Sequence, residues 1–362
     1  MRNRVLILLP NDKLGGAEQH LKNIASYYLD KGSFVEVRFL TKEKTKSWRD
    51  LKGDFRLIFT HSDTEKAGLM FFLKSLINNK GKSYDYLFTS HVHLTGLGGL
   101  LISLNLLKIK YFVGRESTSI FKRFTGLKLF MFKTLYKSGY HKLDLLICQT
   151  DYMKQQLVKA LPRLSSRINI KTISNPINIE NIKTECADFE LTNNNYIVSA
   201  GRLIPEKGYD VLIRAFASIA SRFPDLKLVV LGEGEERANL ESLSKELDVF
   251  EKVLLIGFKN NVYTYFKYAR ACVVSSRIEG FPNVLLQMMS QNNTIVSTLC
   301  AGGIDEIPSI YTCEPGNVEK LADQVRKALV MDNVGNRELF DTFLSRRSVP
   351  GFVEQINQYL NA

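Results

Sequence analysis

The sequence predicts an α/β protein with two parallel sheets, and three observations carry that prediction. Short apolar strand patterns alternate with longer amphipathic helical patterns from the first residues onward, the signature of βαβ units. The alternation halts once, in the polar segment 181–195, and then restarts. The length of 362 residues, 45% of them apolar, is enough to fill two ordinary cores.

In the first set, strands are expected at Val5 to Leu9, Phe34 to Phe39, Phe55 to Phe59, Tyr86 to Thr89, Tyr111 to Val113, Leu145 to Ile147 and Ile168 to Ile173, with helices between them. The opening MRNRVLILLP reads as a first strand, because its apolar run stops after five residues and no small-residue cleavage signal follows. The second set has strands at Tyr196 to Ala200, Lys227 to Leu231, Val253 to Ile256, Ala271 to Val274 and Thr294 to Ser297. Its helices are expected near Tyr209 to Ser221, Glu235 to Leu247, Asn261 to Tyr268, Pro282 to Ser290 and Val318 to Val330. Each set forms a Rossmann-like unit. No segment offers the roughly 18 unbroken apolar residues of a membrane helix.

Charge is unevenly spread. Of the net +12, residues 1–180 hold 30 Lys and Arg against 14 Asp and Glu, a net +16, whereas residues 181–362 hold 19 against 23, a net −4. The five cysteines, Cys148, Cys186, Cys272, Cys300 and Cys313, are odd in number and widely spaced. They read as buried reduced thiols of a cytoplasmic protein rather than as a disulfide framework or zinc ligands.

The stretch from Arg270 to Gln287 combines a buried strand, a short loop carrying Glu279, and an apolar helix beginning near Pro282. Proline suits the first helical turn because it has no N–H to leave unpaired, so the loop ends on free donors at a positive dipole end. GRLIPEKG, Gly201 to Gly208, also follows a strand and opens a helix, which places Arg202 and Lys207 at a second strand-to-helix switch. In a parallel sheet both loops lie at the carboxyl edge, where ligands bind. Two cations, one acid and a helix start at that edge suit a diphosphate bearing a hydroxylated group. In the first set, Gly15 and Gly16 follow the first strand and would let backbone approach a ligand, with Glu18 in the first helical turn; a plain tight turn is the alternative.

In these residues the chain resembles the family 4 retaining glycosyltransferases, which have the GT-B fold of two Rossmann-like domains facing across a cleft. The resemblance rests on GRLIPEKG and on the EGFP opening of an E-x7-E segment, joined in order by GGAE (Gly15 to Glu18), ISNPIN (Ile173 to Asn178), LGEGE (Leu231 to Glu235) and IGF (Ile256 to Phe258). It implies an acceptor domain at 1–178, a donor domain at 179–347, and a terminal segment 348–362 that packs back on the first domain. It assigns Glu279 to hydroxyls of the donor sugar, Gly280, Phe281 and Asn283 to sugar and phosphates, Phe258 or its neighbours to the base, and Gly15, Gly16 and Gly232 to the donor side. Arg202 and Lys207 would stabilise the departing diphosphate with fixed positive charge. Two departures stand out. Gln287 occupies the place of the second acid, where its amide can still accept a ribose hydroxyl bond without charge assistance. Glu116, in GRES, stands where the family often carries a histidine, and GGIDE (Gly302 to Glu306) replaces the usual GGIPE.

His91 and His93 follow the fourth strand and could orient or deprotonate an acceptor hydroxyl. They are unconvincing as metal ligands, since no third ligand accompanies them. Glu18, His91, His93 and Glu116 are thus the acceptor-side candidates. Between Lys108 and Lys142 nine cations stand against one acid, Glu116, with Phe121, Phe124, Phe130, Phe132, Tyr136 and Tyr140 interleaved. Such a helix suits an anionic membrane surface; a solvated helix with core aromatics is the alternative.

The combined reading is a retaining, metal-independent transferase without a cofactor. It would move a hexose or N-acetylhexosamine from a nucleotide-sugar, taken as a UDP-sugar, to a lipid-linked or lipopolysaccharide acceptor at the inner face of the cytoplasmic membrane. No nucleic-acid recognition motif accompanies the basic region. A non-catalytic nucleotide-sugar-binding subunit, which Gln287 makes conceivable, and a GT-B sugar-nucleotide epimerase are the alternatives. A dinucleotide oxidoreductase is disfavoured because no complete GxGxxG follows a strand.

Overall fold

Two separate sheets, each wholly parallel among the described residues, organise the chain. The computed structural model describes residues 2–77, 82–117, 120–178 and 194–361, with the side chains of 73–77, 122 and 123 outside that description. These residues divide into one unit of Met1–Pro176 with Val349–Ala362 and a second of Ile177–Ser348.

The first unit runs β1 (Arg4–Leu9), α1 (Gly16–Asp30), β2 (Phe34–Phe39), β3 (Phe55–Ile58), α2 (Glu65–Ile77), β4 (Ser83–Thr89), α3 (Val92–Ser103), β5 (Lys108–Arg115), α4 (Ile120–Arg123), α5 (Gly126–Gly139), β6 (Leu145–Cys148), α6 (Asp151–Ala160), α7 (Pro162–Ser165) and β7 (Ile170–Thr172). The strands order as β3-β2-β1-β4-β5-β6-β7. Central β1 buries Val5 through Leu9 completely. A strand covered by helices on both faces needs no polar alternation, which is why its sequence is a continuous apolar run.

The second unit runs β8 (Tyr196–Ala200), α8 (Tyr209–Ile219), β9 (Lys227–Leu231), α9 (Arg237–Glu246), β10 (Val253–Gly257), α10 (Tyr263–Tyr268), β11 (Ala271–Val274), α11 (Asn283–Met289), β12 (Ile295–Thr298), β13 (Tyr311–Cys313), α12 (Val318–Val330) and α13 (Asn336–Ser345), in strand order β10-β9-β8-β11-β12-β13. The final helix, α14 (Val349–Asn361), belongs to the first unit, where Phe352, Val353 and Ile356 join Val5, Ile7, Leu21 and Ile24 in one core.

Several elements differ from the sequence expectation. β13 was not foreseen: it is three residues at a sheet edge with Tyr311 and Thr312 half-buried, too short to show a period. Pro282 is the cap before α11 rather than its first residue. The aromatics of the basic region divide in two. Tyr136 and Tyr140 are buried, and Phe121, Phe124 and Phe132 pack half-buried on the core, so Phe130 alone of that set is exposed. Instead, Leu127, Phe130 and Met131 form the outer face of α5, at 76%, 67% and 59% exposure. The inner face is seated closely, since a Cβ on Gly99 of α3 would overlap the carbonyl of Gly139. Four cysteines, Cys148, Cys272, Cys300 and Cys313, are buried free thiols; Cys186 lies outside the described residues, as does most of the polar segment 181–195.

Candidate functional site

At the carboxyl edge of the second sheet, β8 ends in a turn, Pro205–Lys207, that feeds α8 through Gly208. Gly208 has φ +63, and a Cβ there would overlap the Ser275 carbonyl, so both the left-handed backbone and the close approach require glycine. The loop after β11 is stitched to this turn. Ser275 Oγ donates to the Lys207 carbonyl at 2.9 Å, the Arg277 amide donates to the Glu206 carbonyl at 2.7 Å, and the Arg277 guanidinium grips Asp210 through two bonds of 2.7 and 2.6 Å. Bidentate pairing of this kind fixes orientation as well as distance. The Arg277 bonds outweigh the opposing effect of burial and hold the Asp210 carboxyl below its ordinary range.

That scaffold brings Lys207 Nζ to 2.5 Å from Glu279 Oε1, with Ser276 Oγ donating to the same oxygen at 2.8 Å. The two residues are 72 positions apart, and their side chains are 19% and 17% exposed. Glu279 is held from behind as well, its amide donating to the Cys300 carbonyl at 2.9 Å while Thr298 Oγ1 donates to the Ser276 carbonyl at 2.6 Å. Arg202 stands at the same edge with an exposed side chain that makes no hydrogen bond or ion pair among the described residues. The cation nearest Glu279 is therefore spoken for, and the second has no partner among the described residues.

The remaining donor-side positions are distributed around this pair. Gly280 and Phe281 are buried, and their amides meet no protein acceptor among the described residues. The Phe281 ring belongs to the core, with the Arg347 guanidinium 5.4 Å from its centroid. Asn283 opens α11, and Gln287, one turn on, donates from Nε2 to the Tyr263 hydroxyl at 3.3 Å. Phe258 is 68% exposed after β10. Gly232, at φ +146, lies against the Gly201 carbonyl, so its missing side chain lets the β9 turn abut the β8 turn. Sequence reasoning missed Ser276, Arg277 and Asp210; the arginine two residues before Glu279 and the acid two residues after Gly208 were the available signal.

The first unit has its own polar edge. Glu18, in the first turn of α1, lies 3.0 Å through Oε1 from Nε2 of His91, the cap of α3, and its Oε2 accepts the Gly15 amide at 3.1 Å. Burial pushes the Glu18 carboxyl up, but the His91 bond and charge and the backbone amides outweigh it and hold it below its ordinary value. The His93 ring centroid is 5.8 Å from that of His91, and its Nε2 is 3.6 Å from Glu65 Oε2. Although part of the His93 ring is exposed, Nε2 is out of reach of solvent, and this enclosure with the neighbouring His91 pushes the ring down to about 4. Gly16 begins α1 beside this group.

Glu116 stands apart. It is buried beneath Tyr136 and Tyr140, whose hydroxyls donate to Oε2 and Oε1 at 2.6 and 3.2 Å, and burial pushes its carboxyl up to about 7. The adjacent buried Arg115 bonds Ser90 and Asn175. Among the described residues no group of three or more His, Cys, Asp or Glu is arranged to hold a metal ion, and no helix is long and apolar enough to cross a membrane.

Part of the chain also matches a known family model. Residues 183–338 match the family model described as glycosyl transferases group 1. The matched segment contains both the Lys207 turn and the Glu279 loop. Among curated relatives, a Campylobacter jejuni N-acetylgalactosamine-N,N'-diacetylbacillosaminyl-diphospho-undecaprenol 4-alpha-N-acetylgalactosaminyltransferase is 35% identical over 175 residues, 48% of this chain and 47% of that protein. The Rhizobium meliloti lipopolysaccharide core biosynthesis glycosyltransferase LpsE is 35% identical over 106 residues, 29% of this chain and 30% of that protein. The chain spans about half the length, or less, of the curated relatives it matches. Among solved structures, Anabaena Alr3699/HepE in complex with UDP and glucose aligns at a TM-score of 0.83 and 18% identity over 100% of both chains. The fold class expected from the sequence is therefore the one present: two Rossmann-like parallel-sheet units, as in GT-B glycosyltransferases.

Proposed function

We propose that the chain is a retaining, metal-independent glycosyltransferase that moves a hexose or N-acetylhexosamine from a UDP-sugar to a lipid-linked or lipopolysaccharide acceptor. The observation that carries this reading is the Lys207–Glu279 contact inside the segment that matches the group 1 model. An ammonium held at a fixed place beside a carboxylate can meet the β-phosphate as negative charge grows there, while the carboxylate takes hydroxyls of the donor sugar. Arg202, exposed and unpaired among the described residues, adds a second cation at the same sheet edge. The amides of Gly280 and Phe281, which meet no acceptor among the described residues, supply further donors for phosphate oxygens. Gln287 keeps an amide oxygen for the ribose, at the strength of a neutral bond. On the acceptor side, Glu18, His91 and His93 sit at the carboxyl edge of the first sheet, whereas buried Glu116 serves the seating of α5.

In this reading the first unit docks peripherally on the inner face of the cytoplasmic membrane through α5. Leu127, Phe130 and Met131 recur at the spacing of one helix face, and Lys128, Lys133 and Lys137 flank them. Apolar side chains entering the headgroup boundary with cations beside them suit an anionic surface, each cation contributing about 1 kcal/mol. Lys122 and Arg123 belong to the same basic region, with side chains outside the described residues.

A donor screen tests the function. The chain is incubated with UDP-, GDP- and dTDP-sugars and lipid-linked acceptors, and nucleotide release and product are measured. Release of UDP with a glycosylated product of retained configuration supports the proposal. No release from any donor removes the claim of catalysis, and a new sugar-nucleotide formed without acceptor would make the chain an epimerase.

A further inference from the structure

The amino edge of the first sheet lies opposite the edge that holds Glu18 and His91, and it gathers charge that the transferase reading leaves unused. Arg4 begins β1, Ser83 begins β4 and Lys108 begins β5, with β4 between the other two strands. Lys108 and Lys110 stand two residues apart on one strand, so their side chains leave the same face of the sheet. Neighbouring strands are about 4.8 Å apart, which sets the Arg4 backbone about 10 Å from that of the lysines, a gap that long side chains close from both sides. Together with Tyr84 and Asp85 these residues line a cavity of about 310 Å³.

Arg4 is fixed in place and yet unspent. Its amide donates to Asp85 Oδ2 at 2.7 Å, and its guanidinium lies 5.3 Å from the Tyr84 ring centroid and 5.8 Å from that of Phe34. Tyr84 is buried and anchored in turn, its hydroxyl donating to buried Glu36 Oε1 at 2.8 Å, so the guanidinium rests on a rigid platform. Stacking on rings leaves the N–H fork of an arginine open at its edge. Among the described residues no hydrogen bond or ion pair engages the guanidinium of Arg4 or the ammonium groups of exposed Lys108 and Lys110. Three cations thus face the single carboxylate of Asp85 around one cavity. Like charges gathered in this way repel one another, and a bound anion relieves the repulsion.

We propose that this cavity binds a phosphoryl group, with the Arg4 fork on two of its oxygens and Lys108 and Lys110 as flanking point charges. A tetrahedral anion presents oxygens to cations on both sides of the cavity, whereas a planar carboxylate would satisfy Arg4 alone. The volume exceeds that of phosphate and leaves room for a small polar substituent. The six residues of β1 separate this site from the carboxyl edge of the sheet by about 17 Å, so its ligand is not an acceptor held beside Glu18. Two sources offer the same chemistry: the headgroup of an anionic phospholipid and a free phosphate monoester.

The test uses the full chain, with glycerol 3-phosphate as the soluble probe, neutral glycerol as its comparison, and vesicles of phosphatidylcholine with and without phosphatidylglycerol. Calorimetry measures the soluble probes and flotation the vesicles, both in low salt, where exposed charges are least screened. Arg4→Lys keeps the charge and loses the fork, and the double variant Lys108→Gln, Lys110→Gln removes two exposed ammonium groups without touching the Arg4 stack. Glycerol 3-phosphate held by the wild-type chain about tenfold more tightly than by Arg4→Lys, the size of one charge-assisted bond, and about threefold more tightly than by the lysine variant, supports a site for a free monoester. Flotation with phosphatidylglycerol vesicles that falls in both variants, while the soluble probe binds none of the three proteins, supports a site for the lipid headgroup. Probe and anionic vesicles that bind the variants as they bind the wild-type chain overturn the site, as does glycerol bound as tightly as its phosphate. Turnover of a nucleotide-sugar is unchanged in both variants, which keeps this outcome apart from that of the donor screen.

Discussion

Glu116 illustrates how far burial can move a single group. Burial raises its carboxyl to about 7, against the opposing pull of the Tyr136 and Tyr140 hydroxyls and the Arg115 charge. An acid whose folded pKa is raised binds its proton more tightly folded than unfolded, where its value is about 4.3. Its contribution to stability is therefore fully present below about pH 4 and is lost as pH rises toward about 7. In Glu116→Gln this slope between the two values should disappear from a series of denaturant melts; an unchanged slope would mean that another group carries it. Asp12 has the opposite sign. Burial pushes it up, but the amides of Thr45, Lys44 and Lys46 and the Thr45 hydroxyl outweigh that effect and hold it below its ordinary value. Its stabilisation is present above the unfolded pKa and is lost as pH falls through the lower folded one. Asp12→Asn should cost about 1–3 kcal/mol at neutral pH, the usual range for losing bonds to a charged acceptor, and less in acid. At this scale the sequence made one contact legible and hid others. The two strand-to-helix switches showed that Lys207 and Glu279 would share an edge. The Arg277–Asp210 clamp that sets their distance was not readable, because a surface-compatible ion pair has no local pattern. Nor was the burial of Glu116, since a glutamate directly after a strand carries no sign of what will cover it.

Helix α5 shows what periodicity can and cannot say. Its cations and aromatics were evident, but which aromatics face outward depends on the seat of the helix. Gly99 and Gly139 bring the α3 and α5 backbones into contact and thereby turn Tyr136 inward and Phe130 outward. Gly99→Ala should destabilise the first unit by about 1–3 kcal/mol, the cost of overpacking a tight contact, read as a lower melting temperature. Serine at Leu127, Phe130 and Met131 together should weaken binding to anionic vesicles at every salt concentration. Glutamine at Lys128, Lys133 and Lys137 should weaken it chiefly in low salt, where screening is least. Partitioning unaffected by either set would assign α5 to solvent.

For the whole molecule, the sequence revealed two alternating strand and helix sets because buried parallel strands are continuous apolar runs. The missed elements, β13 and α13, lie where the pattern is short or half-exposed. The route of α14 was implied by family resemblance; no period in Val349–Asn361 indicates which core it enters. Deleting 349–362 removes Phe352, Val353 and Ile356 from the core of the first unit, and burying each such side chain contributes about 1.5–3 kcal/mol. The truncated chain should therefore show a large loss of protection in β1 and α1 by hydrogen exchange, with β8 and β11 of the second unit unchanged. The central claim concerns that second unit. Its most direct test is the steady-state turnover, by the wild-type chain and by Lys207→Ala, of the nucleotide-sugar that the screen selects. A kcat lower by about 10²- to 10³-fold, the usual loss when one fixed charge stabiliser is removed, at an unchanged melting temperature is predicted. Equal kcat in the two proteins would contradict it.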